Sequence, residues 1–259
     1  IRTILVMVVC LISLSTSVQA QTTYEVPVGG IAIIGFDFDN DYFAFVCLVP
    51  IPLGTDVLFT DNGWSSGLDN FRTGEGINLW SPDTECKLGD VILTSSGELD
   101  QYLGTFMNLS TSGDQIFIYQ KRTDGTPRLI FGLNSDGENW LPNGSYPTVN
   151  QSNLPNQLAI LTPSPAITLV ESDYGYYQGP RGFDSTTDAL AAITNFSNWK
   201  TSDSLLNIPT TPFTFTTTAV HLSDLSAETG SESPPWWVLL GLVIVPVLVM
   251  VFKRPKKDC

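Results

Sequence analysis

Two apolar segments bracket this chain, and the residues between them, 21–235, are polar and acidic. The first runs from Ile4 to Leu14 behind Arg2 and leads into Ser13–Ala20, with small residues at Val18 and Ala20. A positive n-region, an apolar core and a small-residue cleavage site are the parts of a secretory signal peptide, here residues 1–20. Its eleven apolar-core residues fall short of the ~20 that cross a bilayer, although an uncleaved anchor is the alternative. The second segment, Trp236 to Phe252, holds seventeen uncharged residues, within the ~17–25 that span a membrane. Pro234-Pro235 precede it, and Trp236-Trp237 stand where an interfacial aromatic belt belongs. Residues 253–259 are basic, which by the positive-inside rule places that end in the cytosol. The sum is a type I, single-span membrane protein; a hydrophobic sorting signal exchanged for another anchor is the competing reading.

Charge follows the same partition. Outside the two ends the chain carries seven basic and 25 acidic residues, a net of −18. Such a surface repels phosphate backbones and excludes nucleic acid as a partner. It suits solubility and divalent cations.

The four cysteines also divide by compartment. Cys10 leaves with the signal peptide and Cys259 ends the tail, which leaves Cys47 and Cys86 in an oxidising space. An even pair there predicts one disulfide; the alternative is a Cys47 that is simply a small core residue. Sequons at Asn108, Asn143, Asn150 and Asn195 all lie between the apolar ends, consistent with a glycoprotein.

Short strands separated by turn residues dominate the middle of the chain. They are expected at 31–34, 42–49, 56–60, 90–94, 115–120, 128–133, 157–161 and 213–216. In the second, Phe43, Phe45, Cys47 and Val49 share one face and Tyr42, Ala44, Val46 and Leu48 the other. Both faces are apolar, so this strand is expected to be central and covered on both sides. Asp124-Gly125 marks a hairpin turn. One helix is expected, with Ser185-Thr-Thr-Asp188 as its capping box ahead of Ala189–Ile193. The stretch 134–156, rich in Asn, Gly, Pro and Ser, is expected to be a long exposed loop. Residues 217–235 have the composition of an extended stalk. The pattern as a whole is all-β, a β-sandwich over residues 21–216.

Gly30-Ile-Ala-Ile-Ile-Gly-Phe-Asp-Phe-Asp-Asn40, Phe43-Ala-Phe-Val, Phe59-Thr-Asp-Asn-Gly-Trp64 and Phe71-Arg-Thr-Gly-Glu-Gly76 with Trp80 resemble a group of bacterial secreted proteins. So does Asn108-Leu-Ser-Thr-Ser-Gly-Asp-Gln-Ile-Phe-Ile-Tyr119. The Phe-Ala-Phe-Val, Gly-Trp and Ser-Gly-Asp-Gln-Ile blocks also look like a divergent lamin-tail domain. The resemblance covers roughly residues 26–205 and implies an immunoglobulin-like β-sandwich that acts as an attachment module, with no agreed catalytic residues.

Catalytic chemistry has little to work with. His221 is the sole histidine and falls in the stalk, so no histidine-based triad is expected, nor a zinc site. A carboxylate pair is the remaining route to catalysis. The best candidate site is acidic: Asp37-Phe-Asp-Asn-Asp41 puts oxygens on alternate residues of a turn, and Asp61 joins them if neighbouring strand ends converge. Asp37, Asp39, Asp41 and Asp61 would then hold Ca²⁺; the alternative is a plain turn of solvated charges. The expected function is binding or attachment to a protein or glycan at the cell surface, calcium-assisted and without enzymatic activity. The alternative is an extracytoplasmic hydrolase with a carboxylate site. Lys256 and Lys257 have the spacing of a dilysine retrieval signal, which would instead return the protein to the endoplasmic reticulum.

Overall fold

The computed structural model describes residues 24–216. The expected signal peptide, stalk and membrane span 236–252, with His221 and the tail residues Lys256 and Lys257, lie outside the described residues. Among those described, no helix is long and apolar enough to cross a membrane.

In chain order the strands are β1 Ile31–Asp37, β2 Tyr42–Cys47, β3 Val57–Thr60, β4 Trp64–Ser65, β5 Asn70–Phe71 and β6 Ile77–Trp80. There follow β7 Val91–Leu93, β8 Asp100–Leu103, β9 Gln115–Lys121 and β10 Pro127–Asn134. A one-turn helix α1, Asn156–Ala159, precedes β11 Ala166–Thr168, β12 Tyr174–Tyr177 and β13 Gly182–Phe183. Helix α2, Thr186–Ile193, then leads to β14 Trp199–Ser202 and β15 Thr214–Phe215. The fold is all-β, as expected. Five strands form one sheet in the order β14-β12-β1-β2-β7, and six form the other, β11-β10-β9-β3-β6-β8.

The two sheets share one core. Phe43 and Phe45 on β2 meet Phe59 on β3 at 5.1 and 5.2 Å between ring centroids, and Phe45 meets Trp80 on β6 at 5.0 Å. Ile116, Ile118, Ile130 and Leu133 join them from β9 and β10. Strand β2 is central and buried from Phe43 to Cys47, which is what apolar residues on both of its faces require. The six-stranded sheet also has a covered back. Leu58, Phe117, Tyr119 and Leu129 alternate with the core-facing residues and pack with Trp64 and Leu158.

Local signals hold in several places. Gly125 sits at φ 86° in the β9–β10 turn, where a residue without Cβ is favoured. Ser185 caps α2, its Oγ accepting from Asp188 N at 3.1 Å. Cys47 and Cys86 form the disulfide, with Cα atoms 6.4 Å apart.

Two expectations are corrected. The predicted strand 157–161 is instead α1 and its end. Pro155, at φ −61°, opens the helical turn, and Leu158 is buried in the second cluster. A short apolar run fits either period, and here burial of one residue against β10 selects the helix. The stretch 134–156 is not simply an exposed loop. Asn134, Ser135, Ser152 and Asn153 are buried. Ser152 Oγ accepts from Trp64 N at 2.8 Å, and Asn153 Oδ1 from Ser66 N at 2.9 Å. Polar side chains that satisfy backbone groups are compatible with burial, a possibility composition does not register.

Candidate functional site

The acidic turn between β1 and β2 splits rather than converges. Asp37 is buried, and its carboxylate accepts from Asn40 N at 3.0 Å and from Asn40 Nδ2 at 3.0 and 3.1 Å. Asp39 accepts from the Tyr174 hydroxyl on β12. Asp41, at φ 55°, turns away and accepts from Leu109 N at 2.6 Å. Two of the four predicted ligands are therefore occupied locally, and the other two are drawn to the segment before β9.

There three successive backbone amides gather three carboxylates. Asn108 N donates to Asp61 Oδ2 at 2.9 Å, Leu109 N to Asp41 Oδ1, and Ser110 N to Asp114 Oδ2 at 2.8 Å. Asp114 Oδ1 also accepts from Gln115 N at 2.8 Å and from Gln115 Nε2 at 2.9 Å. The Gln115 amide further donates to Asp61 O and to Val149 O. Glu75 enters from the segment before β6, its backbone N–H on Asn62 Oδ1 at 3.3 Å. Asp61 and Asp114 are each 2 % exposed and Gln115 fully buried.

Crowding raises the proton affinity of this group. Burial, then repulsion by Asp61 and Glu75, pushes Asp114 up to about 8 against its amide hydrogen bonds. Burial pushes Glu75 up to about 7, with Asp61 adding to the shift and Arg72 opposing it. Burial pushes Asp61 up to about 6, opposed by Asn108 N and assisted by Asp41. Each raised acid binds its proton more tightly folded than unfolded. The stability this gives is fully present below the unfolded values near pH 4 and is lost as pH rises through 6 to 8. In EDTA, melting temperature should therefore fall between pH 5 and 8.5. A tenfold change in proton affinity is worth ~1.4 kcal/mol, so a drop of about 3 °C or more is expected. Asp114→Asn should flatten the profile. A wild-type curve that is level or rising over this window would show that these acids are not held protonated.

Several polar atoms here are buried without a partner: Asp61 Oδ1, Glu75 Oε2, Gln115 Oε1 and Arg72 Nη1, with Asn134 Oδ1 and Ser135 Oγ on the adjoining strand end. Among the described residues, no three Asp, Glu, Cys or His side chains already stand around one point as a metal site. The best-formed cavities of the described residues are lined by other residues than Asp61, Glu75 and Asp114. Glu75, Asp114 and Gln115 escaped sequence reading. The available signal was an acid-amide pair, Asp114-Gln115, set directly against the apolar run of β9.

A second feature lies where the edge strands β11 and β14 of the two sheets come together. A groove of about 350 Å³ is lined there by Glu138, Asn139, Thr168, Leu169, Val170, Phe196, Trp199 and Thr201. Phe196 is 71 % exposed beside it, while Trp199 is anchored by its Nε1–H on Ile193 O at 2.7 Å. Of the sequons, Asn108, Asn143 and Asn195 are exposed. Asn150 is half-buried and its Nδ2 donates to Ser110 Oγ at 2.9 Å, so the amide that a glycan would occupy is engaged.

No protein-family model, curated protein or solved structure matches this chain.

Proposed function

We propose that this chain is a single-span membrane glycoprotein whose β-sandwich ectodomain binds an oligosaccharide in the β11–β14 groove, as an attachment module of the immunoglobulin-like, lamin-tail-like kind. The observation that carries this reading is the groove itself. Exposed Phe196 and the edge of Trp199 offer aromatic surface to a sugar ring, while Glu138, Asn139, Thr168 and Thr201 offer hydrogen-bonding groups around it. Glu138 is the single carboxylate in that lining, and hydrolysis by the usual route requires a second on the opposite side of the bond. Binding without cleavage is the function this lining supports. Membrane attachment and cell-surface residence rest on the apolar segments 4–14 and 236–252 and the basic tail, with the dilysine at Lys256 and Lys257 as the retrieval alternative.

A panel of immobilised oligosaccharides probed with the full-length protein tests the proposal. At least one glycan should be retained, and Phe196→Ala should weaken its binding about tenfold, the effect of losing one aromatic contact of ~1.4 kcal/mol, with melting temperature unchanged. Failure of the wild type to retain any member of the panel, or undiminished binding by Phe196→Ala, would sink it. Shortening of the bound oligosaccharide would favour the hydrolase instead.

A further inference from the structure

We infer that Asp61, Glu75, Asp114 and the side-chain amide of Gln115 form a calcium site that fastens the segment before β9 to the ends of β3 and β6. The inference is independent of the glycan groove and moves the cation away from the β1–β2 turn.

Its basis is a mismatch between donors and acceptors. Asp61 is 2 % exposed and Gln115 fully buried, yet Asp61 Oδ1 and Gln115 Oε1 accept nothing, and Glu75 Oε2 beside them is buried and equally bare. The hydrogen-bond network around Gln115 fixes which end of its amide carries the donor. Its Nε2 shares two hydrogens among Asp61 O, Asp114 Oδ1 and Val149 O, so the amide is tied to both aspartates while its oxygen is buried without a donor. Arg72 Nη1 and Ser135 Oγ are bare donors of the same group, so the four bare oxygens, Asn134 Oδ1 among them, outnumber the bare donor atoms two to one, and Asp61, Glu75 and Gln115 bring theirs from three segments. A cation serves all three. Every available atom is oxygen, and an all-oxygen set of carboxylates and amide carbonyl suits a hard ion of the Ca²⁺ class, which takes 6–8 such ligands at about 2.3–2.6 Å.

Among the described residues the carboxylates do not already surround a point, and bringing them together as anions would cost repulsion that a cation offsets. Arg72 is the one cation that opposes the raised proton affinity of Glu75. The polypeptide has nevertheless invested three successive amides, those of Asn108, Leu109 and Ser110, in holding Asp61, Asp41 and Asp114 under one segment. Calcium would then supply the missing charge and link β3, β6 and β9 at one end of the six-stranded sheet.

Full-length protein, stripped with EDTA and held at pH 8, should melt about 5 °C or more higher in 10 mM CaCl₂ than in NaCl of equal ionic strength, if affinity is in the ~10⁻⁴ M range of extracellular sites. Asp61→Asn and Glu75→Gln should abolish the rise. Asp39→Asn, in the β1–β2 turn, should keep it. Terbium provides a readout that does not depend on a variant folding: wild-type protein should sensitise Tb³⁺ luminescence, and Ca²⁺ should displace it. The inference is overturned by a wild-type melting curve indifferent to calcium, by absence of calcium-displaceable terbium, or by a rise that Asp39→Asn loses. A rise undiminished in well-folded Glu75→Gln and Asp61→Asn would overturn it as well.

Discussion

Phe59→Ala is expected to destabilise the fold by about 3–5 kcal/mol and to lower the melting temperature by roughly 10 °C. Phe59 is fully buried on β3, inside the six-stranded sheet, and its ring lies between those of Phe43 and Phe45 from the facing sheet. Truncation removes the apolar ring and leaves a void between two sheets whose strands are fixed by their hydrogen-bond ladders and cannot close on it. Phe59→Leu keeps most of the volume and should lose about 1–2 kcal/mol. Urea denaturation of the three proteins gives both values. A loss below about 1.5 kcal/mol for the alanine variant would mean that the sheets do not depend on this contact. Because β3 runs directly into Asp61 and Asn62, the same variant should loosen the carboxylate cluster and blunt any calcium response.

Strands of the core were legible because burial left a period in them. β1, β2, β9 and β10 are long enough for apolar residues to mark both faces, and their expected positions agree with the observed ones to within a few residues. β4 and β5 are only two residues long and β8 is exposed along its whole length, so none of the three carries an apolar period. Tyr174–Tyr177 has a glycine inside it, and Gly175 is required there because a Cβ would lie 2.4 Å from the Phe36 ring. Sequence rules count that glycine against a strand, whereas the sheet uses it for close packing.

The candidate site was legible only in part, for a related reason. Asp37, Asp39 and Asp41 are conspicuous as a run, but neighbours in sequence on a tight turn point in different directions, and two of them bond to Asn40 and Tyr174 instead. The carboxylates that do gather, Asp61, Glu75 and Asp114, are isolated in sequence. They meet because β3 is hydrogen-bonded to both β6 and β9. That adjacency belongs to the sheet order, and no local pattern encodes it. The disulfide stood at the other extreme, since compartment and parity alone selected its two cysteines.

Removing that disulfide has the other large expected effect. Cys47 and Cys86 are 39 residues apart in sequence, and a loop of this length confines the unfolded chain enough to contribute about 4 kcal/mol in the chain-entropy model. Some of the native geometry would survive its loss. Ile51 and Cys86 exchange backbone hydrogen bonds at 2.8 and 2.9 Å, and Gly89 N donates to Cys47 O at 2.8 Å, so the two segments stay paired without the sulfur link. The effect should therefore act through the unfolded state, which favours replacing both residues together. A Cys47→Ala, Cys86→Ala double variant should unfold about 3–4 kcal/mol more easily. The small cavity at two buried positions adds to this only modestly, since each alanine removes a single sulfur. Calcium addresses the same region of chain, because Asp61 and Glu75 both lie inside the closed loop. Each constraint narrows the freedom the other must remove, so a calcium-induced rise in melting temperature should persist in the double variant. Denaturation with and without 10 mM CaCl₂ measures both quantities on one protein. A double variant as stable as wild type would mean that hydrogen bonding alone secures the segment 86–90 against β2. Loss of the calcium effect together with the disulfide would mean that the bridge, rather than the amides of Asn108 and Ser110, positions the carboxylates.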